Sequence, residues 1–164
     1  MRKAIVLVTG LLILVLVNYS IYSRERLLTE GSLVLLQLAP VDPRSLMQGD
    51  YMALRFQVTN DLRSHVAQET AHDGYVVVKL DDRRLGTFAR LDAGSPLAAN
   101  EARLRYRMRN QQIKFGTNAF FFQEGDAHLY SNARYGEFRV GDDGESILTG
   151  LRDEHFTVLG LARH

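Results

Sequence analysis

The first pattern in this sequence that could support chemistry is a stripe of arginines between positions 102 and 109. One side of the expected strand carries the apolar residues Ala102, Leu104, Tyr106 and Met108. The other side carries Arg103, Arg105, Arg107 and Arg109, which we call the arginine stripe. Guanidinium groups bind phosphate and carboxylate in a bidentate way, so the stripe is a candidate site for an anionic partner. Edge strands exposed to solvent also carry such cations, because the charges discourage edge-to-edge pairing with another chain. Guanidinium groups without an acidic partner in the same domain would favour the binding role.

A serine ahead of a Gly-Asp pair offers a second kind of chemistry, that of a hydrolase. The segment 45–50, Ser-Leu-Met-Gln-Gly-Asp, is similar to the segment just after the nucleophile of signal peptidases. The nucleophilic serine of those enzymes corresponds here to Val41, which has no nucleophile. Ser45 would have to act as the nucleophile instead. Lys79 or Lys114 would have to serve as its base, which requires hydrogen-bond distance between the two side chains. We favour a non-enzymatic protein, assign no catalytic residue, and keep a membrane-tethered hydrolase or peptidase as the alternative.

Two histidines and a glutamate have a spacing that could suit zinc. His65 and His72 can share a helix face with Glu69, which would supply two nitrogens and one oxygen. A solvated polar helix face explains the same three residues, and His128, His155 and His164 form no spacing pattern. We therefore predict no metal site and no cofactor.

Four carboxylates could form an acid and base pair if two of them lie close together in space: Asp42, Asp50, Glu124 and Glu137. The structural interpretation is that Asp42 caps a turn, Asp50 pairs with Arg44, and Glu124 accepts hydrogen bonds from backbone donors beside Gly125. We prefer this structural interpretation, because such ion pairs fix loops more reliably than they stabilise a fold.

The segment 41–58 reads as a turn followed by a strand. Asp42 can cap a helical turn over residues 43–48, Pro43 suits its first position, and Gly49 suits a left-handed residue after it. From Tyr51 onward the residues alternate, which predicts a half-buried strand over 51–58. Its buried side would carry Met52, Leu54, Phe56 and Val58.

This segment resembles the signature of the GDYXXLXY family, a group of bacterial membrane-anchored proteins. Gly49, Asp50, Tyr51 and Leu54 match the motif, and Phe56 stands where the motif has tyrosine. Residues 120–125, Phe-Phe-Phe-Gln-Glu-Gly, and 133–137, Ala-Arg-Tyr-Gly-Glu, resemble later segments of the family. The resemblance spans roughly residues 30–152 and implies architecture and location, not mechanism. The motif residues singled out here are Asp42, Pro43, Arg44, Gly49, Asp50, Tyr51, Leu54, Glu124 and Gly125.

Residues 4–22 form an apolar run without a charged residue. As a helix this run reaches about 28 Å, close to the thickness of a bilayer's hydrocarbon core. A cleaved signal peptide shares these features, but the run is long for one and its exit lacks a pair of small residues. We predict an uncleaved single-pass anchor over 1–23, a linker over 24–31, and an exported domain over 32–164. Residues 24–30 of the linker can also be a helical extension of the anchor, ended by Gly31.

The charge balance and the cysteine content exclude some classes of partner and of chemistry. Without Arg2 and Lys3 of the anchor, 18 of the 20 basic residues remain against 19 acidic residues, and this near balance argues against nucleic acid as a partner. The chain has no cysteine, so disulfides and thiol chemistry are excluded.

Turn signals and alternating runs predict three hairpins, over 75–91, 102–115 and 135–151, a strand at 32–38, and a buried strand or the end of one at 120–122. We also expect a short helix over 59–72, one or two helical turns within 126–132, and a last strand over 154–161. The predicted fold is mainly β, with an N-terminal transmembrane helix and a mostly antiparallel sandwich or partly open barrel.

Together these features predict an anchored envelope protein of the bacterial inner membrane, with a cytoplasmic N-terminus and a periplasmic or extracellular domain. Its expected role is binding or assembly in support of another component. The expected partners are the membrane itself and either a multi-span membrane protein or an anionic envelope component.

Overall fold

The computed structural model describes residues 2–39, 47–48, 51–65, 73–109, 112–117 and 119–160. Its first element is a single helix, α1, over Arg2–Glu30. The helix is long and apolar enough to cross a membrane, and the side chains of its apolar window are not buried by the rest of the protein. Residues 24–30 of the predicted linker continue this helix without a break, because no Gly or Pro lies between the end of the apolar run and Gly31.

The domain that follows is mainly β, as predicted. Its strands in chain order are β1 Ser32–Gln37, β2 Met47–Gln48, β3 Tyr51–Ala53, β4 Gly74–Leu80, β5 Leu85–Leu91, β6 Glu101–Arg109, β7 Gln112–Phe115, β8 Ala119–Phe121, β9 Tyr135–Val140 and β10 Ser146–Arg152. A second helix, α2, covers Gln57–His65, and a 3-10 helix covers Asp126–Tyr130.

Within the described ranges seven strands form one mixed sheet, in the order β10-β9-β1-β5-β4-β6-β7. The three predicted hairpins, β4–β5, β6–β7 and β9–β10, are confirmed as antiparallel pairs. Strand β1 lies inside the sheet, antiparallel to β9 and parallel to β5. Its consecutive residues Val34, Leu35 and Leu36 are all buried, as expected for a strand that is covered on both faces.

The two ends of the large sheet approach each other, so the sheet is nearly closed. The backbone N–H of Arg105 on β6 donates to the carbonyl of Gly144 in the β9–β10 turn, at 2.8 Å. Beyond β7, a Cβ added at Gly116 would lie 2.5 Å from the carbonyl oxygen of Ser146 on β10. Of the two predicted alternatives, a sandwich or a partly open barrel, the structure thus agrees with the barrel.

A small sheet of β2, β3 and β8 lies beside the large one. Met47 and Gln48 belong to β2 and pair with Met52 and Tyr51, so the helical turn predicted over 43–48 is wrong for these two residues. Residues 40–46 and 49–50 lie outside the described part. The predicted positions of Asp42, Pro43, Arg44, Gly49 and Asp50 therefore stay predictions.

The strand predicted over 51–58 is wrong beyond Ala53. The chain leaves the small sheet there and makes a single bridge at Phe56, and α2 then begins at Gln57. Nevertheless Met52, Leu54, Phe56 and Val58 are all buried. The alternating pattern thus predicted the buried side chains correctly, although Val58 is buried in the first turn of a helix and not in a strand.

The predictions for α2, the 3-10 helix and the C-terminal segment are confirmed only in part. Helix α2 starts two residues before the predicted helix, and residues 66–72 lie outside the described part. The helical turn after Gly125 is confirmed. The last strand predicted over 154–161 is wrong for residues 154–160, where one bridge joins Val158 to Arg152. That segment instead turns at Phe156, whose φ of 65° is left-handed.

Helix α1 contacts the domain where the helix ends. Leu27 faces Gly141 in the β9–β10 turn, since a Cβ added at Gly141 would lie 3.2 Å from Cδ1 of Leu27. Gly31 is buried between Leu27 and Arg139, and Arg139 donates from Nη1 to the Gly31 carbonyl at 3.2 Å. The apolar helix and the β-domain therefore meet through packed contacts.

Candidate functional site

The small sheet brings together two segments that are 70 residues apart in the chain and that both resemble the same family. Strand β3 begins at Tyr51 of the GDYXXLXY-like segment, and β8 carries the first aromatic residues of the 120–125 segment. The two strands are antiparallel, with Tyr51 opposite Phe121 and Met52 opposite Phe120. The motif residues that the structure describes are thus concentrated around one small sheet.

Successive aromatic residues of the second segment point to opposite sides. Phe120 and Phe122 both contact the buried ring of Tyr130, with ring centroids 5.0 and 5.5 Å away. Phe121 points the other way and is 72% exposed. Its ring lies 5.9 Å from that of Tyr51, so an aromatic pair, Tyr51–Phe121, forms on the outer side of the small sheet. Aromatic pairs at this distance attract each other modestly.

The exposure of Phe121 was not predicted from the sequence, because residues 120–122 were expected to be buried together. The signal was present, since side chains alternate along a strand and a run of three cannot all face one core. Only the contact of Phe120 and Phe122 with Tyr130 decides which member of the run faces outward.

Leu54 and Phe56, the later motif positions, belong to the core. Both are buried, and the Phe56 ring meets Phe138 edge-on at 5.2 Å. Gly136 of the 133–137 segment leaves room for this ring, because a Cβ there would lie 2.8 Å from Cε1 of Phe56. The motif and this third segment therefore form a single packing unit.

Glu124 and Gly125 lie in the turn that leads into the 3-10 helix. Gly125 precedes this helix with a left-handed φ of 92°. Glu124 is exposed and forms no hydrogen bond with any residue in the described part of the chain, contrary to the expectation that it binds backbone donors beside Gly125. Glu137, by contrast, has a structural role, because Arg152 donates to its carboxylate at 2.7 Å.

The arginine stripe lies on β6 as predicted, on the opposite side from the buried Ala102, Leu104 and Tyr106. Arg103 meets Asp92 at 2.5 Å, and Arg105 and Arg107 share Glu145 at 2.5 and 3.2 Å. Arg109 binds both carboxylate oxygens of Asp73, at 2.9 and 3.2 Å. All four guanidinium groups are therefore paired with acidic residues of the same domain, and this pairing favours a structural role for the stripe.

Two carboxylates have lowered pKa values, Glu101 at the start of β6 and Asp73, which contacts the end of that strand. Two nitrogens of Arg90 donate to Glu101, and the backbone N–H of Ala98 adds a third hydrogen bond, so the pKa of Glu101 falls below its ordinary value. The pKa of Asp73 is also lowered, first by the N–H of Met108 at 2.8 Å and then by Arg109. Both carboxylates are therefore stabilised in their charged form.

The catalytic and metal candidates are only partly described. Ser45, Glu69, His72 and His164 lie outside the described residues, whereas Lys79 is exposed on β4 and Lys114 is half-buried on β7. His65 contacts its own helix at the carbonyl of Asp61, and its ring lies 4.6 Å from that of Phe88. Across the described ranges His, Asp and Glu form no cluster that could hold a metal ion.

Comparison with known proteins agrees with the motif. The model of the GDYXXLXY protein family matches residues 13–151, from the middle of α1 to β10. No curated protein and no solved structure matches the chain. Because the family match covers most of the sequence, including both strands that carry the motif segments, this chain belongs to the GDYXXLXY protein family.

Proposed function

We propose that this protein is a single-pass, non-enzymatic envelope protein whose Tyr51–Phe121 pair contacts another membrane component and supports its assembly. The observation that carries the proposal is the exposure of Phe121 on a strand pair built from two family-like segments. Outside α1, the other large apolar side chains described as exposed are 38–40% accessible, against 72% for Phe121. Exposed aromatic residues are typical anchors of protein interfaces.

The position of the small sheet suits such a contact. Strand β8 is an outer strand of this sheet in the described part of the chain, so no described strand pairs with its second edge beside Phe121. A partner can use the aromatic pair and this edge together. Because the site is small, we expect it to form part of a larger contact with a multi-span membrane protein.

Helix α1 would act as the anchor in this proposal. The N-terminal positive charges of Arg2 and Lys3 favour a cytoplasmic N-terminus, and the β-domain would then be periplasmic or extracellular at a bacterial inner membrane. The packing of Leu27 and Gly31 against the domain supports a fixed distance between the small sheet and the bilayer. A membrane-embedded partner would therefore meet the sheet at a constant height.

The test is photo-crosslinking in native membranes with the full-length protein. A photoreactive residue at the exposed position Gln123 reports on contact beside Phe121, and the crosslinked species is identified by mass spectrometry. We expect a defined adduct with a multi-span protein that decreases several-fold in Phe121→Ser. Leu97→Ser, at an exposed loop position, is the matched control and leaves the yield unchanged. An adduct insensitive to Phe121→Ser, or no adduct at all, would contradict the proposal.

A further inference from the structure

A groove of about 530 Å³ lies between the end of α1 and the β9–β10 turn. Its helix side includes Ser20, Ser23 and Arg24, and its domain side includes Arg107 and Asp142. The contacts of Leu27 with Gly141 and of Arg139 with Gly31 hold the two sides together. The groove is thus formed by packed elements of the chain itself.

The level of the groove relative to a membrane follows from α1. The apolar run ends at Tyr22, and the groove begins at Tyr19 and extends past the end of the helix. If α1 spans the bilayer, as the proposed function requires, the groove opens at the depth of the lipid headgroups. A ligand at this depth is most simply a lipid of the same membrane.

The charges of the groove are mixed and incompletely paired. Three arginines and four carboxylates line it, and Arg26 pairs with Glu30 while Arg107 pairs with Glu145. Arg24 and Asp142 form no hydrogen bond or ion pair with any other residue in the described part of the chain, and Asp142 acts on Arg26, which is already bound to Glu30, only as a more distant charge. One cation and one anion in the same groove therefore remain available to a ligand.

We propose that this groove binds the headgroup of a zwitterionic phospholipid that carries a primary ammonium group, such as phosphatidylethanolamine. The lipid phosphate would bind Arg24, assisted by the hydroxyls of Ser20 and Ser23, and the ammonium would bind Asp142. These are charge-assisted hydrogen bonds, which are stronger than bonds between neutral groups.

The chemistry of the lining distinguishes this headgroup from two common alternatives. An anionic headgroup gains no net attraction, because the carboxylates outnumber the arginines by one. A choline headgroup cannot donate N–H bonds to Asp142 and is usually recognised by a cage of aromatic rings, of which the described lining offers only Tyr19. An ethanolamine headgroup uses both free charges.

The test measures lipid binding to the purified full-length protein by native mass spectrometry. Phosphatidylethanolamine, phosphatidylcholine and phosphatidylglycerol with identical acyl chains are added separately. For the unmodified protein we expect the ethanolamine lipid to bind about tenfold more tightly than the other two, which corresponds to about 1.4 kcal/mol.

Two variants separate the two ends of the headgroup. Arg24→Gln should weaken all three lipids, since all carry a phosphate, whereas Asp142→Asn should weaken only the ethanolamine lipid and remove its advantage. Arg63→Gln and Asp82→Asn, at exposed positions away from the groove, are the matched controls and should bind like the unmodified protein. Near-UV circular dichroism checks that each variant is folded.

Equal binding of the three lipids, or an ethanolamine preference that survives Asp142→Asn, would overturn the inference. Because it depends on the proposed membrane anchoring, membranes are also washed at alkaline pH. Release of the protein would reject the anchoring itself, while retention without a lipid preference would reject only the headgroup site.

Discussion

The contact between Phe56 and Gly136 shows how single residues tie the family-like segments together. Phe56 is fully buried, and its ring occupies the space that a side chain at position 136 would need. The hydroxyl expected from the family motif is absent at this position, so the residue contributes to the core through its ring alone. In this chain, the segments that resemble the family are therefore joined by a packing constraint in the core.

This contact gives a prediction for Gly136→Ala. The added methyl group would overlap with the Phe56 ring, and overpacking of this kind costs about 1–3 kcal/mol. Urea unfolding of the detergent-solubilised protein measures the loss. The control is Gly150→Ala, where a Cβ meets no atom within 4 Å. In Phe56→Leu, which relieves the overlap, Gly136→Ala should cost less, and equal costs in both backgrounds would contradict the proposed contact.

A second residue-scale prediction compares two arginines of the stripe. The Asp92 side chain that pairs with Arg103 is 5% exposed, whereas the Arg107 and Glu145 side chains are 45% and 26% exposed. Arg103→Gln should therefore cost about 1–3 kcal/mol, because a buried carboxylate loses its charged partner. Arg107→Gln should change stability by at most about 0.5 kcal/mol. Equal losses of unfolding free energy in the two variants would show that burial of the carboxylate does not determine the cost of removing its arginine.

At the scale of elements, strand β6 carries ion pairs that connect the large sheet to other parts of the chain. Its arginines bind the loop after β5, the β9–β10 turn and Asp73 just before β4, so they connect three different parts of the chain. The hydrogen bond from Arg105 to Gly144 lies on the same strand. The stripe therefore helps to hold the nearly closed sheet together, and its binding of an anionic partner stays a prediction.

The hydrogen bonds to Glu101 and Asp73 predict a loss of stability in acid. Both carboxyls have folded-state pKa values below the ordinary 4.5 and 3.8. Their contribution to stability is thus fully present above these values and is lost as the pH falls through the lower, folded-state pKa values. Urea midpoints measured from pH 7 to pH 3 should fall below about pH 4.5.

The variant Glu101→Gln tests this linkage. It should be less stable than the unmodified protein at neutral pH and should lose less stability on acidification, since the titrating group is gone. Glu124→Gln, which changes an exposed carboxyl without described hydrogen bonds, is the control. An acid response of Glu101→Gln as steep as that of the unmodified protein would exclude Glu101 as its source.

At the scale of the whole molecule, the connection between α1 and the domain depends on the small size of Gly31. A Cβ at this position would collide with the Leu27 carbonyl and with Cβ of Arg139. Gly31→Val should therefore loosen the junction and speed tryptic cleavage after Arg24 or Arg26. Gly10→Val, where a Cβ meets nothing within 4 Å, is the control. An unchanged cleavage rate in Gly31→Val would argue that the packed junction does not protect this segment.

Membrane topology is a separate whole-molecule prediction. A reporter fused after His164 should behave as exported, and alkaline washing should leave full-length protein in the membrane pellet. The reason is the long apolar run that follows two basic residues. Release of a shorter soluble product would instead identify the run as a cleaved signal peptide.

The sequence by itself determined the family, the apolar helix, the three hairpins and the buried sides of the strands. These features depend on local chemistry, namely hydrophobic period, turn residues and helix breakers, which neighbouring residues reveal. The family segments at 49–56 and 120–125 could be recognised in the same way. Their pairing could not be predicted, because the contact of Tyr51 with Phe121 depends on how distant strands pair.

Only the tertiary structure decided the role of the charges and the orientation of Phe121. The sequence shows four arginines on one face, but Asp73, Asp92 and Glu145 come from other elements that the nearly closed sheet brings to β6. Likewise Val58 is buried by a helix where alternation predicted a strand. Ion pairs and packing between distant elements depend on three-dimensional position, which the spacing of residues along one segment does not specify.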